Sequence, residues 1–272
     1  MTTRPSPHAP RNAAVKVLIP FFVAALVACD RRSGAPGREV RVAAAADLKF
    51  ALDEISAVFR RGHPDVAVTI TYGSSGSFYA QLSNDAPFDL FLSADAAYPQ
   101  KLVEHGKGAK ETLFRYASGR IVVWVLNESQ LDVTTLELRS LADPSVRRVA
   151  IANPQHAPYG RAAEAAMRGA RIYDQVKDRL VLGENVAQAA QFVQSGSADV
   201  GVIALSLALS PAMRDKGRYW EIPLDAYPRI EQGGVVLKSA KDPDAARALR
   251  AYLLAEEGKA ILRKYGFSEA PG

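Results

Sequence analysis

A chain of 272 residues is too long for a minimal domain and suits one large domain or two lobes. Its 48% hydrophobic and 23% charged residues are a globular mix, and no stretch after residue 30 is apolar enough to span a membrane. The net charge of +5 includes Arg4, Arg11 and Lys16 of an N-terminal leader; without them it is +2, which gives no case for nucleic-acid binding.

The leader comes first. Its three basic residues precede an apolar run, VLIPFFVAALVA over 17–28, too short to span comfortably. The run ends in Leu26-Val27-Ala28-Cys29, which resembles a bacterial lipobox. That resemblance implies a signal peptide over 1–28 and a lipid on Cys29, the new N-terminus. Asp30 after it resembles a signal for retention at the inner membrane. Cys29 is the only cysteine, so a disulfide framework is excluded. Residues 29–37 read as a polar Gly/Pro tether.

After the tether, strands and helices alternate. Residues 39–45 read as a strand, and Asp47 as the N-cap of a helix over 48–61, with Leu48, Ala51, Leu52, Ile55, Val58 and Phe59 at helical spacing. A strand over 66–72 runs into Gly73-Ser74-Ser75-Gly76-Ser77, and a helix starts near Phe78. A strand over 88–93 and a helix through Leu102 complete a strand–helix–strand–helix–strand unit, the pattern of a parallel sheet covered by helices. Further strands are expected over 120–126, 148–152, 181–182, 199–204, 220–222 and 233–237. Helices are expected over 136–143, 159–169, 186–194, 205–213, 242–257 and 258–265.

Four strand-to-helix turns stand out: Ala46-Asp47, Ser74-Ser75, Pro158-Tyr159 and Asn185-Val186. The start of a helix presents free N–H groups and the positive end of its dipole, a ready anion site. In open α/β sheets, ligands sit beyond the carboxyl ends of the strands, where such turns converge. Two turns fall early and two in the middle, as two lobes around one anion would require.

These stretches resemble the periplasmic molybdate-binding proteins of ABC importers, over roughly residues 40–267. The resemblance is carried by AAAADLKFAL (43–52), YGSSGSFYAQL (72–82), APFDLFLSAD (86–95), IANPQHAPYG (151–160), ENVAQA (184–189), DVGVIAL (199–205) and RKYGF (263–267). It implies the two-lobed α/β fold of type II periplasmic binding proteins. Each lobe is a mostly parallel sheet flanked by helices, with a two-strand hinge and an oxyanion in the interlobe cleft. Residues 38–118 with 229–272 are expected as one lobe and 119–228 as the other. By the same resemblance the anion is held by Ala46, Asp47, Ser75, Tyr159 and Val186. They contact oxo groups only, and no side chain ligates a metal cation. Ala204 stands where some members have a tyrosine, and Tyr159 is expected to supply the missing hydroxyl. The resemblance further implies molybdate or tungstate as ligand, no cofactor, no catalysis, an inner-membrane ABC permease as partner, and a monomer held at the periplasmic face by its lipid.

Asp47 is the largest departure, since many members have Ser or Asn there. An ionised carboxylate about 4 Å from a dianion would cost on the order of 8 kcal/mol at an effective dielectric of about 20. That offsets most of a micromolar binding energy. Asp47 is therefore expected to cap its own helix through Lys49 or Phe50 N–H, with a protonated carboxyl donating to the anion as the alternative. Three other functions compete with this one. A serine hydrolase would need a Gly-x-Ser-x-Gly elbow, which Gly-Ser-Ser-Gly is not. A ferric-ion receptor is disfavoured by the lack of a Tyr-Tyr pair and by sparse His. The same fold serving sulfate, phosphate or an organic acid stays open.

Overall fold

The β-branched runs of the chain become two five-stranded sheets in the structure, a computed structural model that describes residues 37–270. The leader, Cys29 and Asp30 lie outside the described residues. In chain order the main elements are β1 (Arg38–Ala45), a 3₁₀ turn (Ala46–Leu48), α1 (Lys49–Gly62), β2 (Val66–Gly73), α2 (Ser75–Ser83), β3 (Leu90–Ser93) and α3 (Ala97–Glu104). Then come β4 (Phe114–Gly119), β5 (Ile121–Leu126), α4 (Val133–Leu136), β6 (Val149–Ala152), α5 (Pro158–Gly169), α6 (Tyr173–Val176), β7 (Leu180–Gly183), α7 (Val186–Gln194), β8 (Val200–Ala204) and α8 (Leu205–Ala208). The chain closes with β9 (Gly217–Glu221), β10 (Ile230–Val236), α9 (Pro243–Leu254) and α10 (Glu256–Lys264).

One sheet has the order β2-β1-β3-β10-β4 and the other β7-β6-β8-β5-β9. In the first, β1 runs parallel to β2 and β3, while β10 is antiparallel to β3 and β4. The second repeats the plan: β6 is parallel to β7 and β8, and β5 is antiparallel to β8 and β9. The antiparallel strands are those that lead the chain across. It passes from the first sheet to the second between β4 and β5, and returns between β9 and β10. The central strands β3, β6 and β8 are buried along their whole length, as strands covered on both faces must be. Edge strand β9 is only half-buried.

The helices obey the same physics. α1 buries Ala51, Leu52, Ile55 and Phe59 and ends on Arg60 and Arg61, which favour the negative end of its dipole. Asn185 caps α7, and Asp242 caps α9 with Pro243 at its first position. Trp124 anchors the core of the second sheet's lobe. Ala45, Ala46 and Ala94, at the strand ends of the other lobe, belong to that same apolar cluster, so the two lobes are pressed together there.

Some elements differ from the sequence reading. The helix expected over 48–61 begins with the 3₁₀ turn, so the position before the first turn is Ala45 and Asp47 lies inside it. Strand β4, FRYASG, had no sequence signal: its alternation is short and ends in Ser-Gly, and pairing with β10 makes it a strand. The helix expected over 205–213 stops at Ala208, because Pro211 cannot continue it.

Candidate functional site

The carboxyl ends of β1, β2, β3, β6 and β7 point at one small cavity between the sheets. It is lined by Ala45–Asp47, Gly73–Ser75 and Ala94 from one side, and by Ala157–Tyr159, Asn185 and Val186 from the other. All five residues expected at an anion site are therefore brought together. The space open to the centre of a water-sized sphere is about 10 Å³, roughly what one water needs. Pockets for organic ligands run to about 300–1,000 Å³. The lining contains no Lys, Arg or His.

Each helix start leaves a donor facing this space. In α2 the cap residue Ser74 accepts from Ser77 N–H at 3.3 Å and from Phe78 N–H through its carbonyl, so Ser75 N–H stays uncommitted. The Ser75 hydroxyl accepts from Ala94 N–H at 2.9 Å, which leaves its own proton to give. In α7 the Asn185 side chain takes the N–H groups of Ala187 and Gln188 and passes over Val186. In α5 the first residue, Pro158, has no N–H, and Tyr159 supplies the next one. Among the described residues, the N–H groups of Ser75, Tyr159 and Val186 have no partner. The turn Ala46–Leu48 forms the remaining wall.

Asp47 does not cap its helix. No cap bond is made at this turn, and the carboxylate reaches across the cleft instead. Its Oδ2 accepts from the Tyr159 hydroxyl at 2.9 Å and from the Gln232 amide, and its backbone carbonyl accepts from the Ser206 hydroxyl at 2.7 Å. Asp47 is 1% exposed. Desolvation pushes its pKa up to about 6, against the lowering effect of the hydrogen bonds from Gln232 and Tyr159. The expected cap fails because the side chain leaves from inside the turn, toward Tyr159 on the opposite lobe and Gln232 on β10 of its own.

Tyr159 is corrected for the same reason. Its hydroxyl gives its proton to Asp47, not to the cavity, and accepts from Gln232 at 3.2 Å. Its backbone N–H is the group left for the cavity. Ala204, at the buried end of β8, brings no hydroxyl.

Further contacts across the cleft carried no sequence signal. Gly76 N–H donates to the His156 carbonyl at 2.9 Å. The Ser77 hydroxyl donates to Glu184 at 2.9 Å, and the other Glu184 oxygen lies 2.9 Å from His156 Nε2. Arg161 pairs with Asp95 at 2.6 Å. Gln232 and Ser206 are buried polar residues, the first just outside the strand expected over 233–237 and the second in the apolar helix expected over 205–213. Only burial, which one sequence does not reveal, marks them.

The chemistry is that of recognition. Preorganised N–H and O–H dipoles around a small cavity suit a small anion. Ser75 meets a backbone N–H where a nucleophile would need a base, and the His156 ring is taken up by Glu184. Among the described residues there is no cluster of three His, Cys, Asp or Glu to hold a metal ion.

Two α/β lobes, two crossings and a donor-lined cleft define a solute-binding protein. The chain belongs to the bacterial extracellular solute-binding protein family, whose pattern it matches over residues 40–268. It is 37% identical over 231 residues to the molybdate-binding protein ModA of Rhodobacter capsulatus, covering 84% of this chain and 88% of that one. It is 35% identical over 250 residues to ModA of Azotobacter vinelandii, covering 92% and 96%. The solved periplasmic molybdate-binding protein of Azotobacter vinelandii superposes with a TM-score of 0.80 at 31% identity, covering 85% of this chain and all of that one.

Proposed function

We propose that the protein captures molybdate or tungstate in the periplasm and delivers it to an ABC permease in the inner membrane. The single observation that carries this is the convergence of the free N–H groups of Ser75, Tyr159 and Val186 on one cavity without cations. The similarity to proteins named for molybdate binding supports it.

Ala46, Asp47, Ser75, Tyr159 and Val186 surround the anion: Ser75, Tyr159 and Val186 hold it through backbone N–H groups, Ser75 also through its hydroxyl, and Ala46 and Asp47 complete the wall. The donors replace the hydration shell, so no lysine or arginine is needed at the anion. Sulfate carries the same charge and shape, so the cavity's size is what discriminates. Both lobes contribute donors, so the anion draws the hinge closed, and the permease reads the closed form. The protein acts as a monomeric carrier, without catalysis or cofactor, and is tethered by a lipid on Cys29.

The test is a thermal-shift and titration panel of molybdate, tungstate, sulfate and phosphate on purified protein. Molybdate and tungstate are expected to stabilise it at micromolar concentrations, with sulfate and phosphate far weaker. Equal binding of sulfate or phosphate would overturn the assignment.

A further inference from the structure

The Asp47 carboxyl is buried beside the anion cavity with nothing positive near it. Its Oδ2 takes both donors, from Tyr159 and Gln232, while Oδ1 is buried and has no partner among the described residues. From β4 it faces Tyr116 and from α5 Tyr159, whose hydroxyls burial raises well above their usual range and keeps neutral. β10 offers the uncharged Gln232, and its neighbour Glu231 pairs with Arg115. α7 and α8 present Ala, Val, Leu and Ser206. Lys49 of α1 is turned outward, over the Tyr72 ring and against Asp53. Arg161 is committed to Asp95.

A carboxylate removed from water without a counter-charge disfavours its ionised form, and a second negative charge alongside disfavours it further. The cavity lined by Asp47 offers a dianion no cation to offset that charge. Resting on the anion reading above, we propose that the cleft loads its anion together with one proton from solvent, which adds to Asp47 and leaves its carboxyl neutral in the loaded protein. Oδ1, the oxygen without a donor, is where the proton adds.

The sign follows from linkage. Empty, Asp47 titrates at about 6 in the closed cleft, and nearer the ordinary aspartate value when opening hydrates it. Loaded, it titrates higher. Between the two values each bound anion brings one proton, so affinity falls about tenfold for every pH unit of rise.

The experiment is calorimetric titration of the full chain with sodium molybdate at pH 6.5, 7.5 and 8.5, at each pH in two buffers of different ionisation enthalpy. Wild type is expected to take up close to one proton per molybdate at pH 7.5, with the dissociation constant rising about tenfold per pH unit. Asp47→Asn is expected to take up none, to bind with little pH dependence, and to bind more tightly than wild type at pH 8.5. No proton uptake by wild type, a count that does not depend on how the variant folds, would overturn the inference. A proton still taken up by a folded Asp47→Asn would overturn the assignment to Asp47. Absence of molybdate binding by wild type would overturn the anion reading itself, and this inference with it.

Discussion

The Tyr159 hydroxyl and the Asp47 carboxylate, 112 residues apart in the chain, meet at 2.9 Å inside the closed cleft. One belongs to the lobe of the second sheet and the other to the lobe of the first, so the bond exists only while the lobes are together. Tyr159→Phe removes it and keeps the backbone N–H at the cavity. With a neutral carboxyl as partner, the loss is that of an ordinary hydrogen bond, about 0.5–1.5 kcal/mol. Molybdate affinity is expected to fall by about two- to tenfold. A calorimetric titration at pH 6.5 checks this.

Ser75→Ala has two expected effects. It removes an O–H donor to a charged ligand, weakening molybdate binding by about 1.5–3 kcal/mol. It also strands the buried Ala94 N–H, which the hydroxyl accepts from at 2.9 Å. An unpaired buried donor costs about 1–3 kcal/mol, so the ligand-free melting temperature is expected to fall as well.

Gly76→Ala separates closure from folding. A Cβ at Gly76 would lie 2.6 Å from the His156 carbonyl oxygen, a backbone atom of the opposite lobe that cannot swing aside. Opening the cleft would take that carbonyl away from the methyl group. The variant is expected to melt like wild type without ligand, to lose at least tenfold in molybdate affinity, and to show no ligand-induced drop in radius of gyration by solution scattering. Wild type is expected to show that drop.

Cys29→Ser tests the anchor. The basic, apolar, Leu-Val-Ala-Cys order of the leader is its basis. The variant is expected to leave the membrane fraction or to remain unprocessed. Fractionation and migration like wild type would remove the lipid.

Much of this is legible in the sequence. The four turns could be read because each couples a strand pattern to a helix pattern through Gly, Ser, Pro or Asn, and those residues act locally. Asn185 caps α7 and Pro158 opens α5 for reasons that involve only their neighbours. Asp47 misled because capping is the local option, while its actual donors, Tyr159 and Gln232, come from far along the chain. Strand β4 carries no sequence signal on the same ground: Phe114–Gly119 is a strand because β10 lies beside it. The family resemblance places Tyr159 at the site, but its hydroxyl goes to the Asp47 carboxylate.

The most direct test of the account is a crystal structure of the protein grown with molybdate, with data collected to locate molybdenum by its anomalous scattering. One molybdenum is expected in the cavity between the lobes, with its oxo groups within hydrogen-bond distance of the Ser75 hydroxyl and the N–H groups of Tyr159 and Val186. A molybdenum bound elsewhere, or none in that cavity under saturating ligand, would contradict it.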